Sequence, residues 1–184
     1  MTDFVVHSQD SAPDAARATL SQAGAAFGFV PNLIAVMAES PALAEAYFAI
    51  SKLFGETSLS PVERQIVLLT VSHDNACGYC MAAHTTIAQM SRVPQPVIDA
   101  LRAGEELPDL KLEALRQFTL AVVHQRGRVD DSDIDRFLAA GYGEANILDV
   151  ILGIGMKTLS NYTNHIADTP LDPAFAAQDW SPAS

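Results

Sequence analysis

Cysteine is scarce in this chain. Of 184 residues only two are cysteines, too few for a disulfide scaffold. Long apolar runs are missing as well. None exceeds about six residues, against the roughly 20 that a membrane span needs. The N-terminal Met1-Thr2-Asp3-Phe4-Val5-Val6-His7 has no basic stretch leading into an apolar one, so no secretory leader is expected. Positive charge is in short supply too. Eleven Lys and Arg against 22 Asp and Glu leave a net charge of −11. Such a surface repels phosphate backbones and anionic lipid, so neither nucleic acid nor a membrane is expected as a partner. A cytoplasmic location is the resulting expectation. Strand-type alternation of β-branched residues is rare. No repeat of fixed period and no linker long enough to divide domains is found.

The remainder favours a helical fold. Apolar residues make up 49% and charged residues 18%, the composition of a compact protein. Ala and Leu dominate, and punctuation marks the helix ends. Ser40-Pro41 opens a helix that stops at Gly55, with Ser at the cap and Pro at the first position. Ser60-Pro61-Val62-Glu63 opens the next, with Glu63 where a capping box wants it. His73-Asp74-Asn75 breaks that helix, and Asp74 or Asn75 is expected to cap a new one starting just before Cys77 and continuing to about Ser91. Further helices are expected near 13–27, 97–103, 110–125, 131–141 and 144–166. The expectation is a single all-α domain over 1–184, a bundle of about eight helices with its core motif at 60–91 and a flexible tail at about 174–184.

Both cysteines sit in one stretch, Cys77-Gly78-Tyr79-Cys80, with His84 four residues beyond. At that spacing the three groups share a helix face. A thiolate beside a base or cation is reactive near neutral pH, and a second thiol nearby can close a disulfide after oxidation. The helix start is expected to lower the Cys77 pKa. In a peroxidase reading, the Cys80 thiolate attacks a peroxide oxygen and His84 as imidazolium protonates the leaving group. Cys77 then condenses with the sulfenic acid, and an external thiol restores the pair. Two other readings are open. Cys77, Cys80, His84 and His73 make a Cys2His2 metal set, though not at finger spacing and without a second Cys-x-x-Cys. Alternatively, the thiols are inert core residues.

Several of these residues together resemble a known family. Glu63-Arg64-Gln65, Val71-Ser72, Asn75, Cys77-Gly78-Tyr79-Cys80 and Ala83-His84 resemble the core of the alkylhydroperoxidase D-like, or carboxymuconolactone decarboxylase, family. Val30-Pro31-Asn32 and Ser40-Pro41 extend the likeness upstream. Asn161-Tyr162-Thr163-Asn164-His165 and Thr169-Pro170 resemble its uncharacterised peroxidase-related branch. The resemblance implies an all-α fold, a homo-oligomer (dimer, trimer or hexamer) and a thiol-dependent hydroperoxidase or disulfide oxidoreductase. By position it makes Cys80 the peroxidatic cysteine, Cys77 the resolving one and His84 a relay member. The partners it implies are a small hydroperoxide and a thiol reductant, either a thioredoxin-like or lipoyl protein or a small thiol; no cofactor or metal is called for. The branch that decarboxylates a muconolactone lacks the cysteine pair.

Two relay positions depart from that pattern. Gln65 stands for the relay glutamate and Tyr79 for a histidine. Gln65 cannot take a proton but can orient His84 through its amide. Glu63 is a substitute base on one reading and only a helix cap on the other. The competing function is a redox-sensing or metal-binding interaction protein that uses the same cysteines without turnover. Elsewhere, His73 and His165 are expected either to approach the cysteines or to cap helix ends. Gly153 and Gly155 are expected to allow close helix packing. Met37, Met81, Met90 and Met156 read as core or site lining. The stripe Ile147, Val150, Ile151, Ile154 and Thr158 suggests an oligomer interface.

Overall fold

The computed structural model describes residues 3–182. Met1 and Thr2, at the start of the stretch read for a leader, and Ala183 and Ser184, at the end of the tail, lie outside the described residues. The described residues form an all-α fold, with no strand among them. Its helices are α1 (Arg17–Phe27), α2 (Asn32–Met37), α3 (Pro41–Gly55), α4 (Pro61–Asp74), α5 (Gly78–Met90), α6 (Gln95–Ala103), α7 (Leu110–His124), α8 (Asp131–Ala139) and α9 (Glu144–Ala167), with 3-10 turns at Asp14–Ala16 and Pro173–Gln178. Among the described residues, no single helix is long and apolar enough to cross a membrane.

Helix α4 is the axle of the fold, packed against α5, α7 and α9. Its start is the capping box that the sequence predicts. Ser60 Oγ accepts from the Glu63 amide at 3.2 Å, and a Glu63 carboxylate oxygen accepts from the Ser60 amide at 2.8 Å. Every residue from Gln65 to Ser72 is buried, as befits a helix covered on all sides. Its end is a Schellman turn: the Ala76 amide donates to the His73 carbonyl and the Cys77 amide to the Ser72 carbonyl, both at 2.9 Å. Ala76 takes the left-handed conformation there, with φ of 52°. This turn reverses the chain into α5.

The long helix α9 lies against α3 and α4. Close approach is possible because Gly153 has no side chain. A Cβ at that position would lie 2.8 Å from both Phe54 and Val67, which realises the packing role expected of this glycine. Of the α9 stripe, Val150 faces the core while Ile151 is exposed. Met37, Met81 and Met156 are buried as expected, but Met90 is exposed at the last turn of α5.

The segment after Pro173, read as a tail from its small polar composition, folds back instead. Phe175 is buried beside Phe29 and Tyr79, with ring centroids 5.8 and 6.1 Å away. The Trp180 indole N–H donates to the Arg102 carbonyl at 2.9 Å. Two aromatic side chains among small polar ones suffice to dock the segment over the N-terminal end of α5.

Candidate functional site

The Schellman turn decides where the cysteines lie. Cys77 is the N-cap of α5 and Cys80 falls in its first turn. Asp74 and Asn75 do not cap this helix, contrary to the sequence expectation. Their side chains reach across the fold: Asp74 pairs with His124 at 2.6 Å, and Asn75 donates to Asn161 at 2.9 Å. Both cysteines are free thiols, each only 1% exposed.

Helix α9 supplies the groups that face them. Lys157, Ser160, Asn161 and Asn164 fall at i, i+3, i+4 and i+7, so they share one face, and all four are buried. The Asn164 amide Nδ2 lies 3.2 Å from Cys80 Sγ and 3.7 Å from Cys77 Sγ, donating to both. Lys157 is completely buried. Its ammonium acts on Cys80 by charge, which does not depend on alignment, and Nζ makes no hydrogen bond to a protein group.

These surroundings split the two thiols. Burial pushes the Cys80 thiol up. The neighbouring Cys77 thiol and the Lys157 charge outweigh that, and together hold Cys80 well below an ordinary thiol. The Cys77 thiol is raised, first because it spends its proton on Cys80 and then by burial. The helix-start argument, which favoured Cys77 as the acidic thiol, is thus corrected. The thiolate form is therefore favoured on Cys80 and the thiol form on Cys77.

His84 is also corrected. Its Nδ1 lies 3.2 Å from Gln65 Oε1. Burial, aided by the Lys157 charge, lowers its pKa well below that of a free imidazole. His84 is therefore a neutral base rather than an imidazolium. An amide oxygen at Nδ1 selects the Nδ1–H tautomer and leaves Nε2 as acceptor. Gln65 orients the ring, as expected of it.

Of the remaining candidates, Tyr79 stays in the lining of the Cys80 cavity, while Glu63 and His73 lie outside it. The Tyr79 hydroxyl donates to Asp172 at 2.5 Å and accepts from the Leu33 amide at 3.2 Å. Burial and the Asp172 bond raise its pKa. The Asp172 carboxylate also accepts from the Asn32 amide at 3.1 Å, so Tyr79 ties α5 to α2. Glu63 is engaged in the capping box and pairs with Lys111 at 3.4 Å. It does not line the cavity that holds Cys80. His73 packs on Trp180 at 5.3 Å, away from the metal set proposed for it. Among the described residues, no group of three or more His, Cys, Asp or Glu is placed to hold a metal ion.

Two cavities meet at the cysteines. One, of about 250 Å³, is lined by Cys80, His84 and Gln65 together with Tyr47, Phe48, Phe54, Met156 and Phe175. It is largely apolar, and among the described residues Arg64 is the only Lys, Arg, Asp or Glu in its lining. The other, of about 400 Å³, is lined by Cys77, Gly78, Tyr79, Asn164, His165, Asp168 and Thr169. His165 thus reaches the cysteine neighbourhood, but from the Cys77 side.

Sequence reasoning missed Lys157, Ser160 and Asp172 and gave Asn164 no chemical role. A signal was present. Lys157, Ser160, Asn161 and Asn164 form a polar face within an otherwise apolar helix, and a lysine on such a face needs a counter-charge.

Residues 41–122 match the model of the carboxymuconolactone decarboxylase family. No curated protein sequence matches the chain. Among solved structures, an alkylhydroperoxidase AhpD core protein from Ralstonia eutropha JMP134, described as uncharacterised and peroxidase-related, superposes with a TM-score of 0.84 at 22% identity, covering 98% of this chain and 97% of that one. An uncharacterised peroxidase-related protein from Silicibacter sp. TM1040 gives 0.79 at 21%, covering 96% and 94%. The debrominase Bmp8 C82A, in complex with 2,3,4-tribromopyrrole, gives 0.76 at 20%, covering 97% and 96%. At these identities the likeness is one of fold.

Proposed function

We propose, for a chain that matches the carboxymuconolactone decarboxylase family over residues 41–122, a thiol-dependent reductase of small organic hydroperoxides. The observation that carries the reading is the asymmetric dithiol: Cys80 is held as thiolate by Asn164 and Lys157 at the wall of an apolar cavity, with Cys77 protonated behind it.

Cys80 Sγ attacks the terminal oxygen of the peroxide. The O–O bond breaks and the sulfur becomes a sulfenic acid. The sulfenic acid keeps the peroxide's own proton, and a proton taken up from solvent passes through His84 Nε2 to the departing alkoxide, so a neutral imidazole suffices as relay. The Cys77 thiol then displaces hydroxide from the sulfenic acid. Its proton leaves with that hydroxide as water, and a Cys77–Cys80 disulfide remains. An aromatic and aliphatic lining favours an organic hydroperoxide over hydrogen peroxide, because it gains from burying the apolar part of the ligand.

Steady-state consumption of an organic hydroperoxide with dithiothreitol as reductant tests this. Cys80→Ser should abolish it; undiminished consumption in that variant would end the reading. A second reading draws on the fold shared with the debrominase: the same dithiol and apolar cavity also suit a small halogenated ring. Halide release from such a ring, without hydroperoxide consumption, would favour it. A homo-oligomer, expected from the family resemblance and the α9 stripe Ile147, Val150, Ile151, Ile154 and Thr158, is supported by the exposed apolar side chains Ile151 and, outside that stripe, Leu148, and is checked by elution on a calibrated sizing column.

A further inference from the structure

The two cysteines open on different cavities. Cys80 lines the apolar one and Cys77 does not, while Cys77 lines the polar one and Cys80 does not. The polar cavity sits at the C-terminal end of α9, where His165 and Asp168 are exposed. Two of its side chains carry buried atoms that bond to no protein group: Asn164 Oδ1 and Thr169 Oγ1. Asn164 is 6% exposed, and its Nδ2 is already engaged with the sulfurs. Its Oδ1 is a fixed acceptor beside Cys77, suited to an N–H donor such as a peptide amide.

We propose that this polar cavity is the docking site of the reductant, a thiol carried on an amide-bearing scaffold, which attacks Cys77 Sγ from the face opposite the hydroperoxide. The inference rests on the dithiol reading above and adds the reductant's route to it. In the oxidised protein, the incoming thiolate forms a bond to Cys77 Sγ. The Cys77–Cys80 bond breaks, and its electron pair stays on Cys80 Sγ as thiolate. A second thiol of the reductant, giving up its proton, attacks the reductant's own sulfur in the mixed disulfide. Cys77 leaves and takes that proton. The reductant ends as a disulfide, two electrons poorer, and the Cys77 thiol and Cys80 thiolate are restored. The direction of attack is chemically favoured. Exchange is fastest when the sulfur expelled is the better thiolate, and Asn164 and Lys157 stabilise that form of Cys80. Oxidant and reductant therefore need not compete for one opening.

The test separates the half-reactions. The disulfide is made in two ways, with an organic hydroperoxide and with diamide, so reduction can be measured even if hydroperoxide is not the oxidant. Reduction is timed with dithiothreitol and with a thioredoxin-type protein dithiol, in the parent and in His165→Trp and Thr169→Trp. Folding of each variant is checked by circular dichroism. The expected result is at least a tenfold slower reduction in a folded variant, with oxidation not following it down. Fragment-ion mass spectrometry of an acid-quenched reaction with a monothiol should place the adduct on Cys77. An adduct on Cys80, or reduction as fast in both variants as in the parent, would overturn the proposal. A protein dithiol that is faster than dithiothreitol at equal concentration, and slowed by the same plugs, identifies the carrier as a protein. Equal rates, equally slowed, identify a small thiol. Failure of hydroperoxide to form the disulfide, with the plugs still effective on diamide-made disulfide, sinks the hydroperoxidase reading and leaves this one standing.

Discussion

At the residue scale, the chemistry depends on which sulfur is the thiolate. Asn164 donates to Cys80 at 3.2 Å, and the buried Lys157 favours its thiolate. A depressed thiol pKa means the thiolate persists as pH falls, so Cys80 alkylation should stay on its plateau through neutral pH. A midpoint near 9, the ordinary thiol value, would contradict this. Lys157→Met keeps the volume and removes the charge. Its alkylation midpoint should rise towards that of an ordinary thiol, while the fold keeps or gains stability because a buried charge is gone. His84 bears on stability as well as on proton transfer. Its folded pKa is depressed below the ordinary 6.5 by burial, then by Lys157. Its contribution is therefore complete above that value and lost as pH falls, when the unfolded chain takes a proton that the folded one refuses. The lowered carboxylates Glu63 and Glu113 act only below their ordinary 4.5. Urea midpoints should therefore fall on going from about pH 7 to pH 5, a slope to which Cys80, held below an ordinary thiol, also contributes, so His84→Gln should reduce the slope without abolishing it.

At the element scale, two backbone positions set the geometry. Ala76 closes the Schellman turn with φ of 52°, a conformation that glycine adopts without the Cβ penalty. Ala76→Gly should stabilise the fold by about 0.5–1 kcal/mol in urea unfolding; a loss would mean the Ala76 methyl packs in a way that outweighs the strain. Gly153 is the reverse case. A Cβ there would meet Phe54 and Val67 at 2.8 Å, so Gly153→Ala should cost about 1–3 kcal/mol in the same assay. The contrast shows what the sequence made legible. Local signals that act within one element were readable: Ser60-Pro61-Val62-Glu63 as a capping box, Gly153 as a packing glycine, the helical spacing of Cys77, Cys80 and His84. Partners set by tertiary contact were not. Asp74 and Asn75 read as caps because nothing local reveals that His124 and Asn161 lie opposite. Lys157, 80 residues from Cys77 by their numbering, is brought to the thiols only by the crossing of α9 over α5.

At the scale of the whole molecule, the segment from Asp172 to Trp180 packs against the candidate site. The 3-10 turn Pro173–Gln178 packs on α5, Phe175 lines the apolar cavity, and Asp172 holds Tyr79 beside Cys80. Composition alone could not reveal this, because two aromatics in a small polar segment are too few to give a periodic pattern. Trp180 is the only tryptophan, so its fluorescence reports the docking of this segment directly. Phe175→Ala should lower stability by about 3–5 kcal/mol if the site cannot collapse around it, and it should shift Trp180 emission towards that of solvent-exposed indole. An unchanged spectrum would show that Trp180 is anchored by Arg102 independently of Phe175.

The central claim is that Cys80 and Cys77 act as a coupled dithiol towards a peroxide, and one single-turnover experiment addresses it most directly. Fully reduced protein is mixed with one equivalent of an organic hydroperoxide, and both thiols and the alcohol product are followed in time. The account predicts that the two thiols vanish together within seconds, that one equivalent of alcohol appears, and that Cys80→Ser blocks both. Thiols that stay reduced for many minutes, or alcohol formed equally by Cys80→Ser, would contradict it.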